Sequence, residues 1–187
     1  MVSRELIEYV LCQFQLSHRG IHGVSHWARV RDNGLRLAKV TGANPTVVEL
    51  FAVLHDSQRH LDTCDDDHGL RAAMFAAQLQ GKYYDLPPDD LRLLQLACEG
   101  HSHGKTQGEI TVVTCWDADR LDLGRVGIPP LAKYLCTRPA KDPKMIAWAY
   151  NRSLKWKERF DGKDWLPVIL EEFLEPRTED LELRESG

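Results

Sequence analysis

"FAVLHDSQRHL", residues 51–61, sets four apolar residues directly before an adjacent histidine and aspartate, His55 and Asp56. A run of this kind closes into a core. Burying an imidazole beside a carboxylate there costs roughly several kcal/mol unless hydrogen-bonding partners or a metal compensate. Something elsewhere in the chain has to satisfy that pair.

The pair ends a helix that the sequence delimits well. In "NPTVVELFAVLHD" Asn44 suits the N-cap, Pro45 fits the first turn, and Val47, Leu50, Phe51 and Leu54 recur at helical spacing as a core stripe. Before it, a helix from about Ser25 puts His26, Val30 and Leu37 on one side and stops at Gly42. After it, the acidic loop "DTCDDDHG" (62–69) leads into "HGLRAAMFAAQLQ", its aspartates suited to a positive helix N-terminus. A fourth helix starts after the prolines of "LPPDDLRLLQLACEGHSHG" and runs to Glu99, with Gly100 and Gly104 breaking the chain around His101 and His103. The fifth, "ITVVTCWDADRLDLG", is expected to run to Gly124.

Beyond it lies an irregular connector, residues 126–143, then a helix carrying Trp148, Trp156 and Phe160, and another from about Asp164 to Leu174. Strand signals are scarce; only "GEITVVTCW" has β-branched character. The expectation is an all-α fold: one domain over 1–175, with 176–187 a polar tail.

Composition narrows the function. A formal charge of −4 over 187 residues offers no broad basic field, so a nucleic-acid polymer is not the expected partner. Five widely spaced cysteines without a Cys-x-x-Cys pair argue against a disulfide framework or a zinc ribbon. Glu5 and Glu8 interrupt what would be a signal peptide, and no apolar run approaches ~18 residues, so a cytoplasmic protein without a membrane partner is expected.

Taken in order, His26, His55–Asp56, His68, His101 and Asp119 fall at or near the ends of five successive helices. A helical bundle can aim such residues inward at a metal centre. Imidazoles mixed with carboxylates suit iron, manganese, cobalt, nickel or zinc better than magnesium or calcium. Neighbouring helical residues diverge by about 100°, so His55 and Asp56 can meet one ion from adjacent directions, or the carboxylate can bridge two.

The order "HGVSHWARV", "LHD", "DADRLD" resembles the HD-domain superfamily of metal-dependent phosphohydrolases over residues 20 to 125. The likeness includes the Arg-Val after the first histidine, the apolar lead into His-Asp, and the Ala-Asp-x-Leu around the last aspartate. It implies an HD-like helical bundle with His26, His55, Asp56 and Asp119 as ligands of one divalent transition metal. Members with two ions add two histidines, for which His68 and His101 are the matching positions, and Asp56 would then bridge.

The bland alternatives are specific. His55–Asp56 can be a hydrogen-bonded helix cap, His68 an exposed first-turn residue after three aspartates, and His101 competes with His103. Asp117 competes with Asp119 but points about 200° away on a helix. Asp119 is favoured because Val112, Trp116 and Leu123 share its face and because it precedes x-Leu as the family's last ligand does, leaving Asp117 either to support a ligand from behind or to be a surface acid. His18, His22 and His60 stay outside the set, His22 flanking the substrate entrance. Arg29, Arg59, Arg120 and Arg125 are candidates for gripping an anionic phosphorylated substrate, with Arg29 and Arg125 preferred as catalytic partners of Asp56. Their alternative is a salt bridge, such as Arg120 or Arg125 with Asp122. Trp148, Trp156 and Trp165 are read as packing residues.

Three functions are compatible with the likeness: a phosphohydrolase acting on a small phosphoester or nucleotide, a di-iron oxygenase cleaving a C–P or C–C bond, and an HD fold kept as an inactive sensor or scaffold. The full ligand set disfavours the last. "GHSHGKTQG" lacks the Gly-Tyr-Pro extension of the cyclic-di-GMP phosphodiesterases, which disfavours that substrate.

Overall fold

The computed structural model describes residues 2–155. Among these residues seven α-helices follow one another: α1 (Arg4–Gln13), α2 (Val24–Thr41), α3 (Pro45–Leu54), α4 (His68–Leu79), α5 (Pro88–Gly100), α6 (Ile110–Arg120) and α7 (Pro143–Leu154). Among the described residues there is no strand, only an isolated bridge between Gln80 and Tyr84. The all-α expectation holds. No helix among the described residues is long and apolar enough to cross a membrane.

Local chemistry sets the helix ends. Asn44 caps α3, its side chain accepting from the backbone N–H groups of Thr46 and Val47 at 3.0 and 3.4 Å, with Pro45 at the first position. Gly42 ends α2 at φ 77°, a left-handed conformation that glycine adopts without a Cβ penalty. Glu109 caps α6 by accepting from Thr111 and Val112.

Packing then converges these helices. α2 lies against α3 and α6, α4 against α5, and α5 against α3 and α6. The principal core includes Trp27, Phe51, Val47, Leu54 and Leu94, all essentially without solvent contact, and each such side chain contributes about 1.5–3 kcal/mol. Two glycines set the approach distances. A Cβ at Gly34 would press on Val48 of α3 and, at 3.3 Å, on Ala118 of α6. One at Gly69 would meet the carbonyl oxygens of Cys98 and Glu99 at 2.7 and 2.9 Å, so α4 rests directly on the backbone of α5.

α6 ends at Arg120, earlier than its sequence pattern suggests, and a 3₁₀ turn spans Leu123–Val126. Just beyond that end Gly124 packs directly against Ser153 and Tyr150 of α7, where a Cβ would clash. A second, smaller core gathers Leu37, Leu121, Leu135, Ala140 and Ala149 beneath α7. Trp148 packs against it, with the guanidinium groups of Arg36 and Arg152 at 4.5 and 4.8 Å from its ring. The readings for Trp156, Phe160, Trp165, the helix 164–174 and the tail 176–187 lie outside the described residues.

Candidate metal centre

α2 brings His26, the end of α3 brings His55 and Asp56, α4 opens with His68, and His101 follows directly on α5. His26 and His55 have no solvent exposure; Asp56, His68 and His101 are 2, 3 and 5% exposed. The imidazoles meet in two pairs. His26 Nε2 is 3.1 Å from His55 Nε2, and His68 Nε2 is 2.9 Å from His101 Nε2.

The carboxylate of Asp56 lies between the pairs. Its Oδ2 is 3.4 Å from His26 Nε2 and 3.5 Å from His55 Nε2, while its Oδ1 is 3.5 Å from both His68 Nε2 and His101 Nε2. Asp119 completes the first half, its Oδ1 3.4 Å from His26 Nε2 and 3.9 Å from His55 Nε2. These atoms form two groups able to hold an ion, His26–His55–Asp56 and Asp56–His68–His101.

The donor chemistry fits a cation in each half. Every ring has its Nδ1 against an acceptor: His26 on Asp122 Oδ2 at 2.7 Å, His55 on the Phe51 carbonyl at 3.1 Å, His101 on the Cys98 carbonyl at 2.7 Å, and His68 on the Asp65 carbonyl. A carbonyl or carboxylate only accepts, so in the neutral ring each Nδ1 carries the proton and each Nε2 presents its lone pair to the centre. Lone pairs and carboxylate oxygens facing one another repel unless something positive lies among them. Asp119 Oδ1 is buried there without a hydrogen bond. Donors bonded at about 2.0–2.2 Å to one ion stand roughly 3.0–3.5 Å apart, close to the 2.9–3.9 Å separations here.

Electrostatics agree. Burial and Arg125 push His26 down, but the surrounding carboxylates of Asp119, Asp122 and Asp56 outweigh them and raise it to about 9. Burial holds its neighbour His55 at about 3. The second pair repeats the pattern: burial opposes it, yet Asp56 raises His101, whereas burial and His101 lower His68. In each half the carboxylates favour positive charge on one of the two imidazoles. Against the cost of burial, the imidazoles hold Asp56 and Asp119 well below the usual carboxylate range.

The residues expected from sequence are therefore brought together: His26, His55, Asp56, His68, His101 and Asp119. His103 is exposed, and so is His60. His22 is 7% exposed, its Nδ1 2.9 Å from Asp62 Oδ1. Asp117 faces the other way, but it is fully buried, accepting from the backbone N–H groups of Cys136 and Thr137 at 2.6 and 2.7 Å. It anchors the connector and is no surface acid.

The arginines divide. Arg29 is not placed as a substrate ligand: Nε and Nη2 grip Asp122 at 2.6 and 2.9 Å, and Asp122 in turn orients His26. Arg120 donates to the Tyr134 carbonyl and the Cys136 sulfur. Arg125 reaches the centre. Its Nε donates to the Ile21 carbonyl, Nη2 lies 3.6 Å from Asp119 Oδ1, and Nη1 is buried with no hydrogen-bond partner. Arg59 enters the second half, its Nη1 3.0 Å from His68 Nε2.

Asp122 is the functional residue that sequence reasoning did not single out. It follows Asp119 by three residues as Arg29 follows His26 by three, so two facing helical segments present matched pairs one turn apart. That repeat is the signal that could have found it.

These features define an all-α protein with a carboxylate-bridged pair of candidate ion sites. No protein-family model matches the chain, and no curated protein matches it. Among solved structures it is similar to a predicted HD superfamily hydrolase from an uncultured Thermotogales bacterium, at 26% identity and a TM-score of 0.61. The alignment covers 84% of this chain and 90% of that one. The chain has the HD-domain fold.

Proposed function

We propose that this protein is a metal-dependent phosphohydrolase acting on a small phosphorylated substrate such as a phosphomonoester or nucleotide. The observation that carries the reading is the Asp56 carboxylate, one oxygen within 3.5 Å of the His26–His55 pair and the other 3.5 Å from both His68 and His101. Likeness to a solved structure described as an HD superfamily hydrolase supports it. Divalent ions bound there would acidify a water nucleophile and neutralise charge on a phosphoryl group. Iron, manganese, cobalt, nickel and zinc all accept this nitrogen and oxygen donor set.

The chain's own residues supply orientation and anion binding. Arg29 fixes Asp122, Asp122 fixes the His26 ring, and the Phe51 and Cys98 carbonyls fix His55 and His101. Arg125 offers the buried N–H groups of Nη1 to an anionic oxygen beside the first half, where a guanidinium in low dielectric binds phosphate strongly. Five free cysteines fit a protein that works in a reducing cytoplasm.

The test is metal analysis of protein purified without chelator, followed by a phosphate-release screen over nucleotides and sugar phosphates. Metal content near one or two equivalents with metal-dependent phosphate release is expected. Oxygen uptake without phosphate release from any phosphoester would move the assignment to the oxygenase, and metal without either activity would leave the scaffold.

A further inference from the structure

The second half of the centre contains a cation of its own. Arg59, 9% exposed, is tethered at two corners: Nη2 donates to the Thr63 carbonyl at 2.8 Å and Nε to the Leu61 carbonyl at 3.2 Å. Its third corner, Nη1, points inward, 3.0 Å from His68 Nε2 and 3.5 Å from Asp56 Oδ1.

A guanidinium does not lose its proton in a protein, so Nη1 can only donate. His68 carries its proton on Nδ1, against the Asp65 carbonyl, and therefore accepts through Nε2. That lone pair is one of the three donors of the Asp56–His68–His101 group. One lone pair cannot serve both a guanidinium N–H and a metal ion. The first half has no such occupant among the described residues: its guanidinium, Arg125, lies 3.6 Å from the Asp119 carboxylate and is bonded to no imidazole there.

We propose that Arg59 is a built-in competitor for the second ion, so that the chain fills the His26–His55–Asp56–Asp119 half first and the second half only when Arg59 releases His68. The inference rests on the metal-centre reading and adds an order and a gate to it. The segment that holds Arg59 is suited to letting go. Residues 60–64 are exposed, and the segment is joined to the body by side-chain contacts such as Asp62 with His22 and Asp65 with Arg71 rather than by helix packing. Withdrawing Arg59 therefore leaves α3, α4 and α5, which carry the ligands, in place.

Breaking a charge-assisted hydrogen bond and placing an ion beside a fixed positive charge weakens the second site about tenfold or more. The experiment is titration of chelator-stripped full-length protein with Mn²⁺, reading free ion and the spin-coupled pair signal by electron paramagnetic resonance. In the wild type one Mn²⁺ binds tightly and the second at least about tenfold more weakly. In Arg59→Gln and Arg59→Met the second affinity rises toward the first, and the pair signal grows in at lower Mn²⁺, with first-ion affinity unchanged. That unchanged first affinity also certifies that the variants fold. Equal affinities in the wild type, or a second affinity unchanged or weakened in both variants, would overturn the proposal. So would loss of the first ion in both, since Arg59 would then support the whole centre. No Mn²⁺ bound by the wild type would overturn the metal-centre reading itself, a distinguishable failure.

Discussion

The two halves of the centre are built differently although they share Asp56. In the first, His26 is oriented by a carboxylate 96 positions away in sequence, and that carboxylate is fixed by Arg29 on the same helix as the histidine. In the second, His68 and His101 are oriented by backbone carbonyls three residues away, Asp65 and Cys98, and a guanidinium leans on the donors. The first half depends on α2, α3 and α6 meeting correctly. The second depends on one loop and on the α4–α5 contact at Gly69. Long-range construction gives a rigid, sealed site; local construction gives one whose occupancy a loop can change.

Asp56→Ala should erase the difference, because it removes the carboxylate common to both halves. Loss of both ions and of all phosphate release is expected, read by metal stoichiometry; one ion retained at full affinity would break the bridging account. Next come variants that split the halves. Asp119→Asn should empty the first site, and His68→Ala should empty the second while one ion stays. If His68→Ala retains two ions, His68 is a helix-cap residue and the second half does not exist.

Asp122→Asn probes orientation without touching a ligand. Outer-shell carboxylates of this kind are worth about 10–100-fold in metal affinity. The loss should fall on the first ion only. Depriving buried Arg29 of that carboxylate should also lower stability by about 3–5 kcal/mol, measurable by denaturant unfolding. A variant with wild-type first-ion affinity would show that the His26 ring is held by packing alone.

The smallest effect is graded with pH. His26 sits at about 9 in the metal-free protein, so the first ion must displace a proton. Its affinity should fall about tenfold for each pH unit below that value, read as apparent Mn²⁺ affinity between about pH 6.5 and 8.5. For the chelated protein the sign is opposite. A histidine raised above its ordinary 6.5 contributes stability that is complete below 6.5 and is lost as pH climbs through about 9. A flat affinity profile would mean that His26 is already neutral.

Much of this was legible in the sequence, for physical reasons. The apolar stripe of α3, the Asn44 cap and Gly42 are local signals, and they placed His55 and Asp56 at a helix end before any contact was known. The choice of Asp119 over Asp117 followed from helical angle together with the family-like Asp-x-Leu context of Asp119. What stayed hidden depends on contacts between distant segments. The close packing of α7 on Gly124 joins distant segments, and the Arg29–Asp122 pair spans 93 positions. Arg59 was visible as a cation near the pair, but its direction is decided by carbonyls in a loop with no periodic pattern.

α6 carries two acids, Asp117 buried and Asp119 partly so, that pull from opposite sides of one axis. Asp119 reaches toward the histidines, while Asp117 accepts the N–H groups of Cys136 and Thr137. Between them they fix the helix in rotation as a pin on each side of a shaft would. Any turn that carries Asp119 away from His26 drags Asp117 off the connector, and any shift of the connector is felt two residues away at the centre. The polypeptide leading to α7 is thereby geared to the ion sites through α6.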